Sequence, residues 1–221
     1  MSASAERRYT PLPVEARGGD HKKIGGYAAM FNRESRNLGG FVERLDPAFF
    51  NKSRGDGWPD VMARYNHEDN FLLGTTGAGT LRLTIDGTGL DYEVMPPASR
   101  ADVVELVTRG DVRQSSFAFR AFEEDWGLTE QGFPLRTLLS GQLVDVAPVN
   151  TPAYVDTTAG LRSLALAKNA DLAEVRKLAE GNELRKLFTI TTGTGPVAPS
   201  KPLSGAAAMN ALMGKRHDPY A

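Results

Sequence analysis

Over most of the first 150 positions, apolar residues alternate with polar or small ones, the two-residue period of half-buried strands. Residues 22–31, KKIGGYAAMF, read as a strand whose glycines permit a bulge or a close backbone approach. A polar loop over 32–40 leads to a short strand over 41–45, and Asp46-Pro47 predicts a helical turn with Asp46 as its cap. Residues 60–65 alternate as a strand and run into Asn66-His67-Glu68-Asp69. Leu81, Leu83 and Ile85 alternate with Arg82 and Thr84. Asp86-Gly87 signals a turn, and Leu90, Tyr92 and Val94 resume the alternation, which predicts a β-hairpin.

The period then changes. Ser99 followed by Asp102 resembles a capping box, Val103, Leu106 and Val107 share one helical face, and Gly110 closes the helix. The helix delivers the chain into GDVRQSSFAFR, residues 110–120, where Phe117 and Phe119 alternate with Ser116, Ala118 and Arg120. If the phenylalanines face a core, Ser115 faces it too, and Ser116 lies on the opposite face beside Ala118. Further strands are expected over 135–139 and 143–149, with Pro152 ending the run. Asp171 can cap a helix in which Leu172, Val175, Leu178 and Ala179 share a face, and Leu184, Leu187 and Phe188 follow a break at Gly181-Asn182. From Thr189 onward the chain lacks periodicity and is rich in Gly, Pro, Thr and Ala, the composition of a disordered linker.

Many short strands with one clear helix between them, and no regular strand–helix alternation, predict an α+β fold. Its sheet is expected to be mostly antiparallel, curled or closed as a β-barrel and flanked by a few helices. The predicted organisation is a flexible lead-in over 1–20, with a strand near Tyr9, a domain over 21–164 and a helical, then disordered, extension over 165–221.

Composition narrows the chemistry. The 221 residues carry a formal net charge of −1, which gives no electrostatic reason to expect a nucleic-acid or membrane-surface partner. No apolar run approaches the ~18 residues of a membrane helix, and the first 19 residues lack the apolar stretch of a secretory signal. With no cysteine, disulfides, thiol nucleophiles and cysteine-bound zinc are all absent. Of three histidines, His21 stands at the first residue of the predicted domain, His67 lies well inside it and His217 falls in the extension.

A serine hydroxyl becomes a useful nucleophile when a base accepts its proton, histidine is the usual base, and the histidine needs a partner on its other ring nitrogen. Ser116 on its strand, His67 just after a strand and Asp145 within the apolar run QLVDVAPV supply these residue types on three separate strands. Strict alternation would put Asp145 on a face with Leu143 and Ala147, where an acid is costly to bury without a partner. Each residue also has a plainer reading: an ordinary strand serine, a solvent-side loop histidine and an aspartate paired with Arg136. His67 could instead join Glu68 and Asp69 at a metal, although adjacent residues splay apart on a strand.

The wording of the chain resembles the prohead maturation proteases of tailed phages, serine proteases related in fold to the herpesvirus assembly proteases. The resemblance covers residues 22–164 through GGYAAMFN, FVERLDPAFF, ARYNHE, GTLRLTIDGTGLDYEV, the helix ending in RG, SFAF and LVDVAPVNTPAY, in order. It implies a serine endopeptidase with His67 as base, Ser116 as nucleophile and Asp145 as the acidic third member, and Arg136 as a loosely matched oxyanion support. Three positions depart from the family's pattern: Ser115 stands where a small residue or methionine is frequent, Ala118 where glycine is frequent, and Asp145 where glutamate is common. The implied substrates are the capsid protein or its scaffold segment, and the protease itself by autocleavage. The implied place is the immature capsid in the host cytoplasm. No cofactor, metal, nucleic acid or membrane is called for, and a homo-oligomer is compatible with this reading. A non-catalytic β-barrel assembly or scaffold protein of the capsid is the alternative.

Overall fold

The computed structural model describes residues 5–19, 22–150 and 158–189. In chain order its first elements are β1 (Glu6–Pro13), β2 (Glu15–Arg17), β3 (Lys23–Met30), β4 (Val42–Leu45), α1 (Asn51–Gly55), β5 (Met62–Arg64), β6 (Leu72–Thr75), β7 (Leu81–Ile85) and β8 (Gly89–Val94). They are followed by α2 (Ala101–Arg109), the long strands β9 (Gln114–Leu128) and β10 (Pro134–Val149), and the helices α3 (Thr158–Ala167), α4 (Leu172–Glu180) and α5 (Lys186–Thr189).

The α+β expectation holds. One sheet runs β1-β9-β10-β5-β6, with β4 also pairing on β10, and a second runs β2-β3-β8-β7. β4 and β5 pair parallel with β10, at different stretches of it, while the remaining ladders are antiparallel. The described strands therefore make two mixed and antiparallel sheets and no closed barrel. Strands β9 and β10, of 15 and 16 residues, are the longest described and form the spine of the first sheet.

Local signals explain most element ends. The predicted hairpin is β7–β8, with Asp86 Oδ1 accepting from the N–H groups of Thr88 and Gly89 in the turn. Gly110 ends α2 at φ 81°, in the left-handed region, and its N–H reaches the carbonyls of Leu106 and Val107. The capping box at the other end is absent: Ser99 lies in a 3-10 turn, Ala98–Arg100, and no side chain caps α2. Asp171 does cap α4, its Oδ1 accepting from the N–H groups of Ala173 (2.9 Å) and Glu174 (3.2 Å). At Gly26 a side chain would meet the Pro13 carbonyl oxygen at 2.9 Å and Ser115 Oγ at 3.3 Å, so this position requires glycine.

The main core lies between the sheets. Phe117 and Phe119 stack at 5.1 Å, Phe49 meets Phe119 edge-on at 5.4 Å, and Phe50, Ile24, Leu90, Val103, Leu143 and Val146 complete the surround. A second apolar cluster joins Leu38, Phe41 and Trp126 to Leu161, Leu164, Val175, Ala179 and Leu184.

Two expectations about the ends of the domain are corrected. Residues 6–13 form the strand expected near Tyr9, but with Glu6, Arg8 and Thr10 buried it is an integral part of the sheet rather than of a flexible lead-in. Helices α4 and α5, assigned to the extension, pack on Phe41 and Trp126 and belong to the body. Residues 190–221, read as a linker, lie outside the described residues, as do Thr151, Pro152, Ala153 and Tyr154 of the family wording. Among the described residues no helix is long and apolar enough to cross a membrane.

Candidate active site

Ser116 occupies the middle of the first sheet, opposite Tyr9 on β1 and Ala147 on β10. The alternation assigned to β9 is observed: Ser115, Phe117 and Phe119 face the main core, and Ser116 and Ala118 face away from it. Ser115 Oγ lies 3.3 Å from Tyr92 Oη inside that core. Burial pushes the Tyr92 phenol well above its ordinary value, so the pair stays neutral.

Asp145 reaches the same face by a device that alternation cannot predict. Leu143 opposes Phe119 and Asp145 opposes Ala118, so Val144 is an extra residue in β10, a β-bulge. Leu143 and Val146 both enter the core, while Asp145 points to the Ser116 side. The expectation that Asp145 shares a face with Leu143 is thereby overturned, because the bulge resets the two-residue period between them.

His67 comes from the turn between β5 and β6. Asn66 and His67 both adopt the left-handed region, at φ 55° and 59°, a conformation of modest cost for these residue types. The turn is tied down by backbone bonds from Tyr65 N–H to the Phe71 carbonyl and from Glu68 N–H to the Tyr65 carbonyl. Asn66 Oδ1 accepts from the N–H of Asn150 at 3.1 Å, which fastens the turn to the end of β10. Two successive left-handed residues fold the imidazole back over the sheet.

The three side chains then meet. His67 Nδ1 is 2.6 Å from Asp145 Oδ1, and His67 Nε2 is 2.7 Å from Ser116 Oγ. The residues are 6%, 2% and 0% exposed respectively for His67, Asp145 and Ser116, so these contacts are made away from bulk water. Ser116 Oγ also lies 2.8 Å from the Arg8 carbonyl oxygen, to which it can donate. The hydroxyl has one proton and two acceptors in reach, Nε2 and that carbonyl, and serves one at a time.

Arg64, three residues before His67, was not singled out from the sequence. Its Nη1 donates to Asp145 Oδ2 at 2.8 Å, and its Nη2 lies 3.2 Å from Asp69 Oδ1. Burial alone would push the Asp145 carboxyl up. The hydrogen bonds and charges of His67 and Arg64 outweigh it and hold the group below its ordinary value. The available signal was position: Arg64 stands inside ARYNHE, the stretch that also contains His67.

Arg136, read either as a loose oxyanion support or as the partner of Asp145 or another carboxylate, is held by carboxylates other than Asp145. Its guanidinium binds Glu6 (2.7 Å), Glu43 (2.9 Å) and Glu124, and Arg8 joins the same cluster through Glu6 and Glu43, both at 2.8 Å. Burial of Arg136 would favour its neutral form, but the carboxylates overcome this and raise its proton affinity further. The cluster ties β1, β4, β9 and β10 together. Burial raises Glu124 above the ordinary carboxylate value despite Arg136.

Among the described residues no group of three or more histidine or acidic side chains is arranged to hold a metal ion, and His67 is engaged by Ser116 and Asp145. A hydroxyl, an imidazole and a carboxylate in hydrogen-bonded series can move a proton from Oγ to Nε2 and stabilise the resulting cation, which is the chemistry of acyl transfer.

No curated protein and no solved structure matches the chain. The model of one family, caudovirus prohead serine protease, matches residues 10–171, a stretch that contains β3 to β10 and every side chain of the Ser116–His67–Asp145–Arg64 series. The chain belongs to the caudovirus prohead serine proteases.

Proposed function

We propose that this protein is an endopeptidase in which Ser116 is the nucleophile, His67 the general base and acid, and Asp145 the group that orients His67. The observation that carries the proposal is the unbroken pair of hydrogen bonds from Asp145 through His67 to Ser116, at 2.6 and 2.7 Å. As Oγ bonds to the scissile carbonyl carbon, its proton passes to Nε2, and Asp145 stabilises the imidazolium. Collapse of the tetrahedral intermediate breaks the C–N bond, and the imidazolium returns the proton to the departing amine. Water, deprotonated by His67, then attacks the acyl ester and releases Ser116.

The substrates proposed are the capsid protein's scaffold, or a scaffold-like segment of it, and the protease chain itself, cleaved within the immature capsid. Co-expression with the capsid protein tests this. Wild type trims both proteins, and Ser116→Ala trims neither; trimming by Ser116→Ala at the wild-type rate overturns the assignment. A fluorophosphonate that labels wild type but not Ser116→Ala separates this reading from a non-catalytic assembly role.

A further inference from the structure

A carboxylate that supports a histidine base raises a difficulty when both are buried. In a medium of low polarity an unopposed carboxylate holds the imidazolium strongly, and an imidazole that stays protonated cannot accept the serine proton. The groups around Asp145 answer this directly. Its Oδ1 faces His67 Nδ1, its Oδ2 faces Arg64 Nη1, and its register neighbours are Ala118 on β9 and Met62 on β5, neither of which carries charge. From the turn after β5, the nearest further charge on Arg64 is Asp69, whose side chain is 87% exposed and therefore well screened.

We infer that Arg64 is a positioning residue for the Ser116–His67–Asp145 relay. Its guanidinium clamps Asp145 so that Oδ1 faces the imidazole, and its charge sets the pH range over which the relay works. Two features separate this from simple anchorage of β5 to β10. Arg64 bonds the one carboxylate oxygen that His67 does not use, so the two contacts together fix the plane of the carboxylate. Its charge lies one hydrogen bond beyond that carboxylate, in a protected setting where Coulomb effects persist, and it offsets part of the negative charge that Asp145 presents to the relay. Arg64 does not contact Ser116, so any effect on the reaction runs through Asp145 and His67. This inference rests on the proposed catalytic reading.

The test is the rate at which a fluorophosphonate labels Ser116 in the full chain between pH 5 and 9, with Ser116→Ala as the blank. Compared with wild type are Arg64→Lys, which keeps the charge, Arg64→Gln, which removes it, and Arg64→citrulline, introduced by codon suppression. Citrulline keeps the shape and donors, so the comparison survives if Arg64→Gln does not fold. The acid limb of Arg64→Lys is expected within half a pH unit of wild type. In the two neutral variants the limb moves to higher pH by roughly one unit, the size of one neighbouring charge at this range, so that labelling at pH 6 falls about tenfold while labelling at pH 9 changes far less. A limb that stays at the wild-type pH in the neutral variants, whatever the loss of thermal stability, overturns the inference and leaves Arg64 an anchor. Absence of labelling in wild type overturns the catalytic reading itself, and the inference with it.

Discussion

Ser115 and Ser116 are adjacent in sequence and share no partner: Ser115 Oγ lies 3.3 Å from Tyr92 Oη within the core, and Ser116 Oγ lies 2.7 Å from His67 Nε2 on the other side of the sheet. Substituting each separately gives opposite outcomes. On the proposed reading Ser116→Ala removes the nucleophile, and labelling and scaffold trimming are expected to fall to background, a loss of roughly 10³-fold or more. Ser115→Ala keeps the reaction within a few-fold and costs about 1–2 kcal/mol of stability, because Tyr92 is left with an unpaired buried hydroxyl. Paired activity and urea-unfolding measurements distinguish the two.

The lowered proton affinity of Asp145 has a consequence for stability. A carboxyl held below its ordinary value of 3.8 in the fold stabilises the fold above that pH, and the contribution is lost as the pH falls through the lowered value. Asp145→Asn removes the contribution and leaves Arg64 without its buried partner. The difference in Tm between wild type and Asp145→Asn is therefore expected to be largest near pH 7 and to narrow below about pH 4. A difference that stays constant down to pH 3 contradicts the assignment of the shift to the His67 and Arg64 contacts.

Arg136 neutralises three carboxylates drawn from β1, β4 and β9. Arg136→Met leaves Glu124 without its cation and Glu6 and Glu43 with Arg8 alone, and is expected to cost about 3–5 kcal/mol in denaturant unfolding. The loss should appear as destabilisation of the whole domain, with no change in the pH dependence of Ser116 labelling in the fraction that remains folded. A fully stable Arg136→Met protein with selectively slowed labelling would return this residue to the reaction.

Leu184, near the end of the described chain, is 1% exposed and lies in the cluster with Phe41 and Trp126. Leu184→Ala is expected to lower stability by about 2–5 kcal/mol, the cost of a core truncation. A change below 0.5 kcal/mol would show that α4 and α5 are peripheral, as their placement in an extension over 165–221 implied.

The features legible in the sequence were those generated by neighbours. The β7–β8 hairpin follows from alternation around Asp86-Gly87, the end of α2 from Gly110, the start of α4 from Asp171, and the separation of Ser115 from Ser116 from the two-residue period. What escaped depends on residues far apart in the chain. Glu6 and Arg8 make β1 look like an exposed lead-in until Glu43 and Arg136, 35 to 130 positions away, are brought beside them. The bulge at Val144 leaves no mark in a pattern whose apolar residues suit either face, and the left-handed pair Asn66-His67 is set by contacts with Phe71 and Asn150. Arg64 was in plain view, but its importance depends on Asp145, 81 positions later.

The complete burial of Ser116, with Arg8's carbonyl oxygen 2.8 Å from its hydroxyl, has a kinetic meaning. A substrate carbonyl has to come within bonding distance of Oγ, and a side chain with no accessible surface cannot offer that approach. On the proposed catalytic reading, substrate then reaches Oγ only in an opened arrangement, and the rate is the intrinsic rate of that arrangement multiplied by its fraction. Every 1.4 kcal/mol by which the closed arrangement is favoured slows turnover about tenfold without altering any group that moves a proton. On that reading, binding that favours the opened arrangement accelerates the reaction by the same arithmetic.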